Sequence, residues 1–161
     1  MIAPSTKASR PVSNRANSTD ALAVSLFSEV FAADQLARNR LTRALPKGME
    51  LSHFSVLNHL AHVNDERSPA QLAQAFHLTR GAITNTLTKL EWAGHIHIRP
   101  DWDDARKKRV SISPAGRKAV DSAISAVSPI ITEIVEEIGP DRVRQALPVL
   151  RELREKLGSK G

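Results

Sequence analysis

The stretch that decides the fold runs from Ser68 to Ser113 and reads SPAQLAQAFHLTRGAITNTLTKLEWAGHIHIRPDWDDARKKRVSIS. It begins with Ser68-Pro69 and has Gln71 three residues after the serine, the pattern of an N-cap, a first-turn proline and a capping box. Two short helical patterns follow, joined at His77, and then come two alternating segments typical of strands. This order is typical of a helix-turn-helix followed by a hairpin wing, an arrangement that places one helix in a groove of DNA.

The second of these helices has two faces of different chemistry. Ile83, Leu87 and Leu90 recur at spacings of four and three residues, so they form one apolar stripe. The opposite face is small and polar and carries no acid. Asn and Thr side chains can hydrogen-bond base edges, and an α-helix fits the major groove, which is about 12 Å wide. We therefore predict that this face binds DNA through Arg80, Gly81, Thr84, Asn85, Thr88 and Lys89.

The segment after this helix is predicted to form the wing. Residues 95–99 and 109–113 alternate between apolar and polar side chains, as half-buried strands do, and residues 100–108 connect them. An arginine on a hairpin tip can enter the electronegative minor groove of DNA, and Asp103 or Asp104 could hold its guanidinium in place. The alternative is a charged turn that protects the sheet edge. The predicted wing contacts are Arg106, Lys107 and Lys108.

Amphipathic helices are predicted on both sides of this stretch. The first begins at residue 19 or 20 and ends before Pro46, and a shorter helix follows with Ser52 as its cap. Ser113 caps another long helix, and Gly139 separates it from the last one, in which Pro148 should cause a kink. Their aliphatic faces are larger than a small winged domain can cover.

The net charge of +6 is unevenly distributed along the 161 residues. Residues 80–118, which include the predicted DNA-binding helix and wing, carry +5, and residues 1–19 carry +3. Clustered positive charge suits a phosphate backbone, although a basic run can also be an ordinary solvated surface. Residues 1–18 lack hydrophobic periodicity, so we predict a disordered basic tail there.

Composition and motifs exclude several other classes of chemistry. The chain has no cysteine, which rules out disulfides and thiolate metal sites. No apolar run approaches the roughly 20 residues of a membrane-spanning helix, and the N-terminus lacks the apolar stretch of a secretory signal. No nucleophile–base set, phosphate-binding glycine loop or zinc-protease helix motif is present, so we expect neither an enzyme nor a cofactor.

The order of these features resembles the MarR family of bacterial transcription regulators. The similar segments are GMELSHFSVLNHLAH as a second helix, the helix-turn-helix quoted above, and DWDDARKKRVSISPAG as wing and return, within residues ~20–157. The wing is similar to the family's Asp-x-Arg-Asp-x-Arg pattern, in which Asp101, Asp104 and Arg106 match. Asp103 stands where the family usually has an arginine, which puts one of its wing contacts or salt bridges in question.

The resemblance implies a mainly helical (α+β) winged helix-turn-helix protein in which terminal helices of two subunits intertwine. It divides the chain into a tail (1–18), a dimerisation helix (19–47), a DNA-binding domain (49–113) and dimerisation helices (114–158). Such a homodimer reads a pseudo-palindromic duplex. Members of the family are commonly cytoplasmic repressors. They release DNA when a small aromatic or anionic ligand binds between the dimerisation helices and the DNA-binding domain.

Two other interpretations stay open on the sequence. His59 and His62 lie three residues apart on one predicted helix with His53 upstream, a spacing able to chelate a metal. A metal-responsive regulator that uses these histidines is therefore one alternative. A helical protein-interaction module without specific DNA binding is the other.

Overall fold

The fold is that of a winged helix-turn-helix protein with long terminal helices, as predicted. The structure is a computed structural model that describes residues 14–159, with side chains from residue 18 onward. Within that range no helix is long and apolar enough to cross a membrane. The elements in chain order are α1 (Asn14–Ala44), α2 (Leu51–Val63), α3 (Pro69–Ala75), α4 (Arg80–Trp92), β1 (Ile96–Pro100), β2 (Lys108–Ile112), α5 (Pro114–Ile138) and α6 (Pro140–Gly158).

The chain divides into two compact units, residues 1–40 and 41–161. The described part of the first unit is helical, and its residues Phe27 and Phe31 bring their ring centroids within 6.1 Å. The helix begins at Asn14, so the prediction of disorder over residues 1–18 is wrong for its last five residues. Residues 14–18 (NRANS) have no apolar side chain other than Ala16, so hydrophobic periodicity could not locate this start. The rest of the predicted tail lies outside the described residues.

The core of the second unit forms around α2 and α4. The apolar stripe of α4 is buried as predicted, and Leu72 of α3 is fully enclosed beside it. Burial of each such side chain contributes about 1.5–3 kcal/mol, so this cluster determines how α4 is rotated about its axis. The buried members are Val56, Leu57, Leu60, Leu72, Ile83, Leu87, Leu90, Ile96, Val110 and Val120.

A smaller cluster joins the end of α1 to α5. Leu45 lies against Ala123 and Val127 of α5, and Leu41 and Met49 pack at its edge. The residues of this cluster all belong to the second unit. They connect the segment before α2 to the long C-terminal helix.

The two strands of the wing pair antiparallel from Ile96↔Ile112 to Pro100↔Lys108. Each strand is shifted by one residue from its predicted range. The reason is that Ser113 is used outside the sheet: its N–H donates to the His95 carbonyl (2.9 Å) and its hydroxyl donates to the Gly94 carbonyl (2.6 Å). An isolated bridge between Arg67 and Val110 adds a third segment to the sheet, and the sequence pattern carried no sign of it.

Helix caps follow local chemistry with one exception. Ser68 accepts from the N–H of Gln71, and Thr79 accepts from the N–H of Ala82, as their sequence positions predict. The cap of α2, however, is Glu50 and not Ser52. The two residues form a capping box, in which the Glu50 side chain accepts from the N–H of His53 and His53 accepts from the N–H of Glu50 (3.3 Å).

Gly116 permits close contact between α5 and the start of the wing. A methyl group at this position would lie 2.1 Å from the His95 carbonyl oxygen and 2.9 Å from the Ile112 side chain. We expect Gly116→Ala to lower the free energy of unfolding by about 1–3 kcal/mol, because the backbone must move to admit the added atom. Urea denaturation followed by circular dichroism measures this change.

The matched control is Gly81→Ala, since a methyl group on Gly81 meets nothing within 4 Å. This variant should keep the parent's stability or gain less than about 1 kcal/mol from the lower entropy of alanine in the unfolded chain. Equal denaturation midpoints for the two variants would contradict the contact assigned to Gly116.

Candidate nucleic-acid interface

The start of α4 is open to an anionic partner. Thr79 occupies the N-cap and uses its hydroxyl for the N–H of Ala82 (3.2 Å), while Arg80 and Gly81 form the first two positions of the helix. The N–H groups of these two positions have no carbonyl partner within an α-helix. Both residues are exposed, and the first turn contains no acid. Phosphate oxygens are therefore suitable partners at this end of the helix.

The outer face of α4 presents side chains that can contact bases. Thr84 donates its hydroxyl hydrogen to the Arg80 carbonyl (2.7 Å), and Thr88 donates to the Thr84 carbonyl (2.9 Å). Each threonine consequently offers a methyl group and oxygen lone pairs to a partner, but not its proton. Asn85 is exposed and its amide makes no hydrogen bond within residues 18–159. It can still offer both a donor and an acceptor, the pair that adenine recognition requires.

Lys89 lies at the edge of this face and already has a partner. Its Nζ is 3.0 Å from Oε1 of Glu50, the cap of α2. This hydrogen bond and the nearby charges hold the pKa of the Glu50 carboxyl below its usual range. Lys89 thus links α4 to the start of α2, a connection across 39 residues that local sequence patterns cannot show.

The wing tip has a rigid base formed by Asp101. Its Oδ2 lies 2.7 Å from Nε of Arg109, and its Oδ1 accepts from the N–H of Asp103 (2.9 Å). The Asp101 side chain is only 9% exposed. The hydrogen bonds from the Asp103 N–H and from Arg109 lower the pKa of Asp101, so this carboxylate stays ionised and holds the two ends of the tip together.

Asp104 holds the predicted DNA-contacting arginine. Its Oδ1 accepts from the Arg106 N–H (3.1 Å) and lies 3.2 Å from the Arg106 Nε, while Lys107 Nζ lies 4.0 Å from Oδ2. The sequence left Asp103 and Asp104 as equal candidates for this role. Asp103 takes no part in it, because its carboxylate forms no ion pair within the described part of the chain. The Arg106 side chain remains 92% exposed.

A further ion pair, between Arg99 and Glu66, lies beneath the wing and was not predicted from the sequence. Arg99, at the end of β1, donates from Nε to Oε1 of Glu66 (2.9 Å) and from its other guanidinium nitrogens to the second Glu66 oxygen and to the Pro100 carbonyl. The Arg99 Cζ lies 4.6 Å from the ring centroid of Trp102. No local pattern reveals these contacts, because Glu66 is 33 residues away from Arg99.

A cavity of about 560 Å³ lies against the inner edge of α4. Lys47, Lys89, His53 and His95 line it together with the single acid Glu50, so cationic and neutral groups outnumber anionic ones. Burial lowers the pKa of His53, and the Glu50 carboxylate opposes that effect. The remaining lining residues are Pro46, Gly48, Met49, Leu90, Ala93, Ala119 and Ser122.

The histidines of α2 contact an aromatic ring and backbone groups. The rings of His59 and Phe76 meet edge to face with centroids 5.4 Å apart, and His62 Nδ1 lies 2.8 Å from the Asn58 carbonyl oxygen. His53 is used in the α2 cap. In the part of the chain that the structure describes, no three His, Asp or Glu side chains come together as metal ligands.

A helix-turn-helix whose second helix has an exposed first turn without acid, followed by a basic wing, is typical of winged-helix transcription regulators. Residues 47–107, from the segment before α2 through the wing tip, match the model of the MarR family. The resemblance found in the sequence is thereby confirmed for this segment.

Several solved structures share the fold along most of the chain. BldR from Sulfolobus solfataricus has a TM-score of 0.71 and 22% identity, and the match covers 89% of this chain and 99% of BldR. A mutant MarR from E. coli, solved with operator DNA, has a TM-score of 0.74 and 20% identity over 88% of this chain and 99% of that one. BpsR from Bordetella bronchiseptica, whose DNA binding 6-hydroxynicotinic acid regulates, has a TM-score of 0.72 and 18% identity over 81% and 98%.

Proposed function

We propose that this protein is a cytoplasmic, homodimeric repressor that binds a specific DNA sequence and releases it when a small ligand binds. The observation that carries the proposal is the outer face of α4 from Arg80 to Lys89, which is exposed and free of acid beside a wing with an exposed Arg106. A solvated helix normally carries Glu and Lys, which favour both helix formation and solubility. A continuous surface of Gly, Thr and Asn instead lets the helix approach base edges closely.

Each predicted residue of α4 has a distinct role in this proposal. Arg80 and the N–H of Gly81 bind phosphate at the helix start. Asn85 pairs with adenine in the major groove, and the methyl groups of Thr84 and Thr88 contact thymine methyl groups. Lys89, at the edge of the face, divides its charge between the DNA and Glu50.

The wing completes the DNA-binding surface. Asp104 orients Arg106, which enters the minor groove, and Lys107 and Lys108 bind neighbouring phosphates. In this arrangement α4 recognises the base sequence, and the wing contributes electrostatic attraction. The DNA complex of the E. coli MarR relative supports the proposal that this fold is used on duplex DNA.

The terminal helices supply the proposed dimer interface. None of the described residues of α6 is buried, although five aliphatic residues recur along it at spacings of three and four. Large apolar side chains are also exposed on α1 and α5. A second copy is the proposed occupant, because a two-fold dimer brings two α4 helices to a pseudo-palindromic duplex. The exposed apolar residues are Leu22, Val24, Leu26, Phe31, Leu36, Ile124, Ile131, Ile138, Leu147, Val149, Leu150 and Leu157.

The cavity beside α4 is the proposed ligand site. Its excess of cationic groups suits an aromatic carboxylate, whose ring fits against Met49 and Leu90 while the carboxylate reaches Lys47 and Lys89. Such an anion competes with Glu50 for Lys89, which lies on the DNA-binding helix itself. Binding in the cavity therefore changes the position of the helix, and DNA affinity falls.

The DNA-binding proposal predicts a loss of affinity on removal of the Arg106 guanidinium. Arg106→Ala should weaken binding to a duplex selected from random oligonucleotides by about 1–3 kcal/mol, measured by fluorescence anisotropy. Arg142→Ala, which removes one exposed positive charge from α6, is the matched control and should keep the parent's affinity. If random-oligonucleotide selection enriches no sequence, the chain is an interaction module and not a specific regulator.

The dimer proposal predicts a change of oligomeric state on charging the apolar face of α6. Leu150, which is 47% exposed, would be buried twice in a symmetric interface, so Leu150→Asp should raise the dimer dissociation constant at least about a hundredfold. Sedimentation velocity measures the shift. Arg151→Asp, a charge change at the exposed neighbouring position, should sediment like the parent protein. A parent protein that is monomeric at micromolar concentration would rule out the interface.

The ligand proposal predicts that aromatic carboxylates displace the DNA. 6-Hydroxynicotinic acid and benzoate are the probes, and their effect on duplex binding is read by anisotropy. Lys47→Met should weaken the response about tenfold or more, because it removes a charge-assisted hydrogen bond without touching α4. Lys156→Met, on α6, is the control. The proposed site is wrong if Lys47→Met and the parent respond at the same ligand concentration.

A further inference from the structure

The wing tip carries a large aromatic side chain that the fold does not use. The chain contains two tryptophans, and Trp102, between β1 and β2, is 84% exposed. Burial of an indole is among the largest apolar contributions that one side chain can make. An indole that is exposed at the end of a hairpin can therefore contribute this free energy of burial when it binds a partner. The second tryptophan, Trp92, is 88% exposed at the C-terminal end of α4.

Trp102 is nevertheless held in place. The guanidinium of Arg99 lies over its ring, with Cζ 4.6 Å from the centroid, which is within the range of a cation–π contact. Arg99 is fixed in turn by both oxygens of Glu66 and by the Pro100 carbonyl. One face of the indole is therefore covered by a fixed cation, and the rest of the ring projects into solvent. A preorganised aromatic side chain loses little conformational entropy on binding.

The charges around Trp102 identify the partner. Arg106, Lys107 and Lys108 follow it on the same tip, while two of the three tip acids, Asp101 and Asp104, are engaged in ion pairs within the wing. The tip thus combines exposed cations with an exposed apolar ring. The minor groove has the complementary arrangement, because apolar sugar walls lie beside the phosphates, whereas an apolar protein surface lacks the phosphates.

We propose that Trp102 is a further DNA-binding residue, which inserts its indole as an apolar wedge into the minor groove beside Arg106. Wedges of this kind pack against sugars and partly separate neighbouring base pairs, which bends the duplex. The proposal rests on the DNA-binding function proposed above. It adds an apolar contact to a wing whose other DNA contacts are electrostatic, and it gives the wing a preference for easily deformed steps such as TA.

Affinity and salt dependence together test the wedge. Trp102→Ala should raise the dissociation constant for the selected duplex at least fivefold, on the order of the loss seen when an aromatic–base contact is removed. The slope of log K against log salt should stay at the parent's value, because an indole displaces no counterion. Arg106→Ala should lower both affinity and slope. Arg142→Ala, on α6, is the control, and its affinity should equal that of the parent.

Fluorescence locates the contact independently of affinity. The full-length variant Trp92→Phe has Trp102 as its single tryptophan, and its emission should be quenched when the duplex is added, since stacked bases quench indole. The variant Trp102→Phe has Trp92 as its single tryptophan, so it measures the contribution of the second ring separately. A minor-groove-binding drug added to the first complex should restore the emission, because it occupies the groove that Trp102 enters.

The outcomes separate this inference from the function on which it rests. If the parent binds a selected duplex and Arg106→Ala weakens it, but Trp102→Ala binds like the parent, the wedge is wrong and the DNA-binding function stands. The wedge is also wrong if DNA leaves the Trp102 emission unchanged. If neither the parent nor any variant prefers a duplex sequence, the DNA-binding function itself fails, and the wedge fails with it.

Discussion

The burial of one stripe of α4 against α2 is the constraint on which the rest of the domain depends. Ile83, Leu87 and Leu90 enter the core together, so the helix cannot rotate without exposing all three. With 3.6 residues per turn, the opposite face is then forced outward as a unit. That face contains no side chain the core needs. Its composition is consequently free to serve a ligand, and a surface of Gly, Thr and Asn is suited to DNA.

The wing depends on ion pairs that are partly withdrawn from water. Asp101 and Arg109 close the base of the tip, and Glu66 holds Arg99 from the loop before α3. Pairs of this kind interact more strongly than fully solvated ones, because the local dielectric constant is lower. They also account for much of the negative charge near the tip. The wing contains three aspartates, but the Arg106 guanidinium is among its most exposed groups.

The cavity and the proposed DNA-binding surface share a residue, which couples them physically. Lys89 lies on the edge of the outer face of α4 and also lines the cavity, where Glu50 holds it. Glu50 is in turn the cap of α2, and His53 of the same turn is buried beside it. Any anion that enters this cavity meets the Glu50 carboxylate and the Lys89 ammonium, which already compensate each other, with the His53 imidazole beside them. Displacement of Glu50 from Lys89 would disturb both the start of α2 and the edge of α4.

The sequence by itself determined what depends on near neighbours in the chain. The stripe of α4 and the caps at Ser68 and Thr79 were predictable, because spacing of three to four residues decides them. The helix-turn-helix and wing followed from the order of these local patterns. Ser52 as the cap of α2 was wrong, since the histidine that completes the Glu50 cap also packs in the core.

Only the tertiary structure decided which distant side chains meet. The choice of Asp104 over Asp103 depends on how the wing tip folds back on Asp101, and the Glu66–Arg99 pair that supports Trp102 joins residues 33 positions apart. The cavity likewise forms from the segment before α2 together with α2, α4 and α5. Such contacts arise when hydrophobic burial brings whole elements together, so no local period in the sequence records them. The helix α4 and the wing were thus predictable from the chain, whereas the contacts that hold and couple them belong to the packed domain.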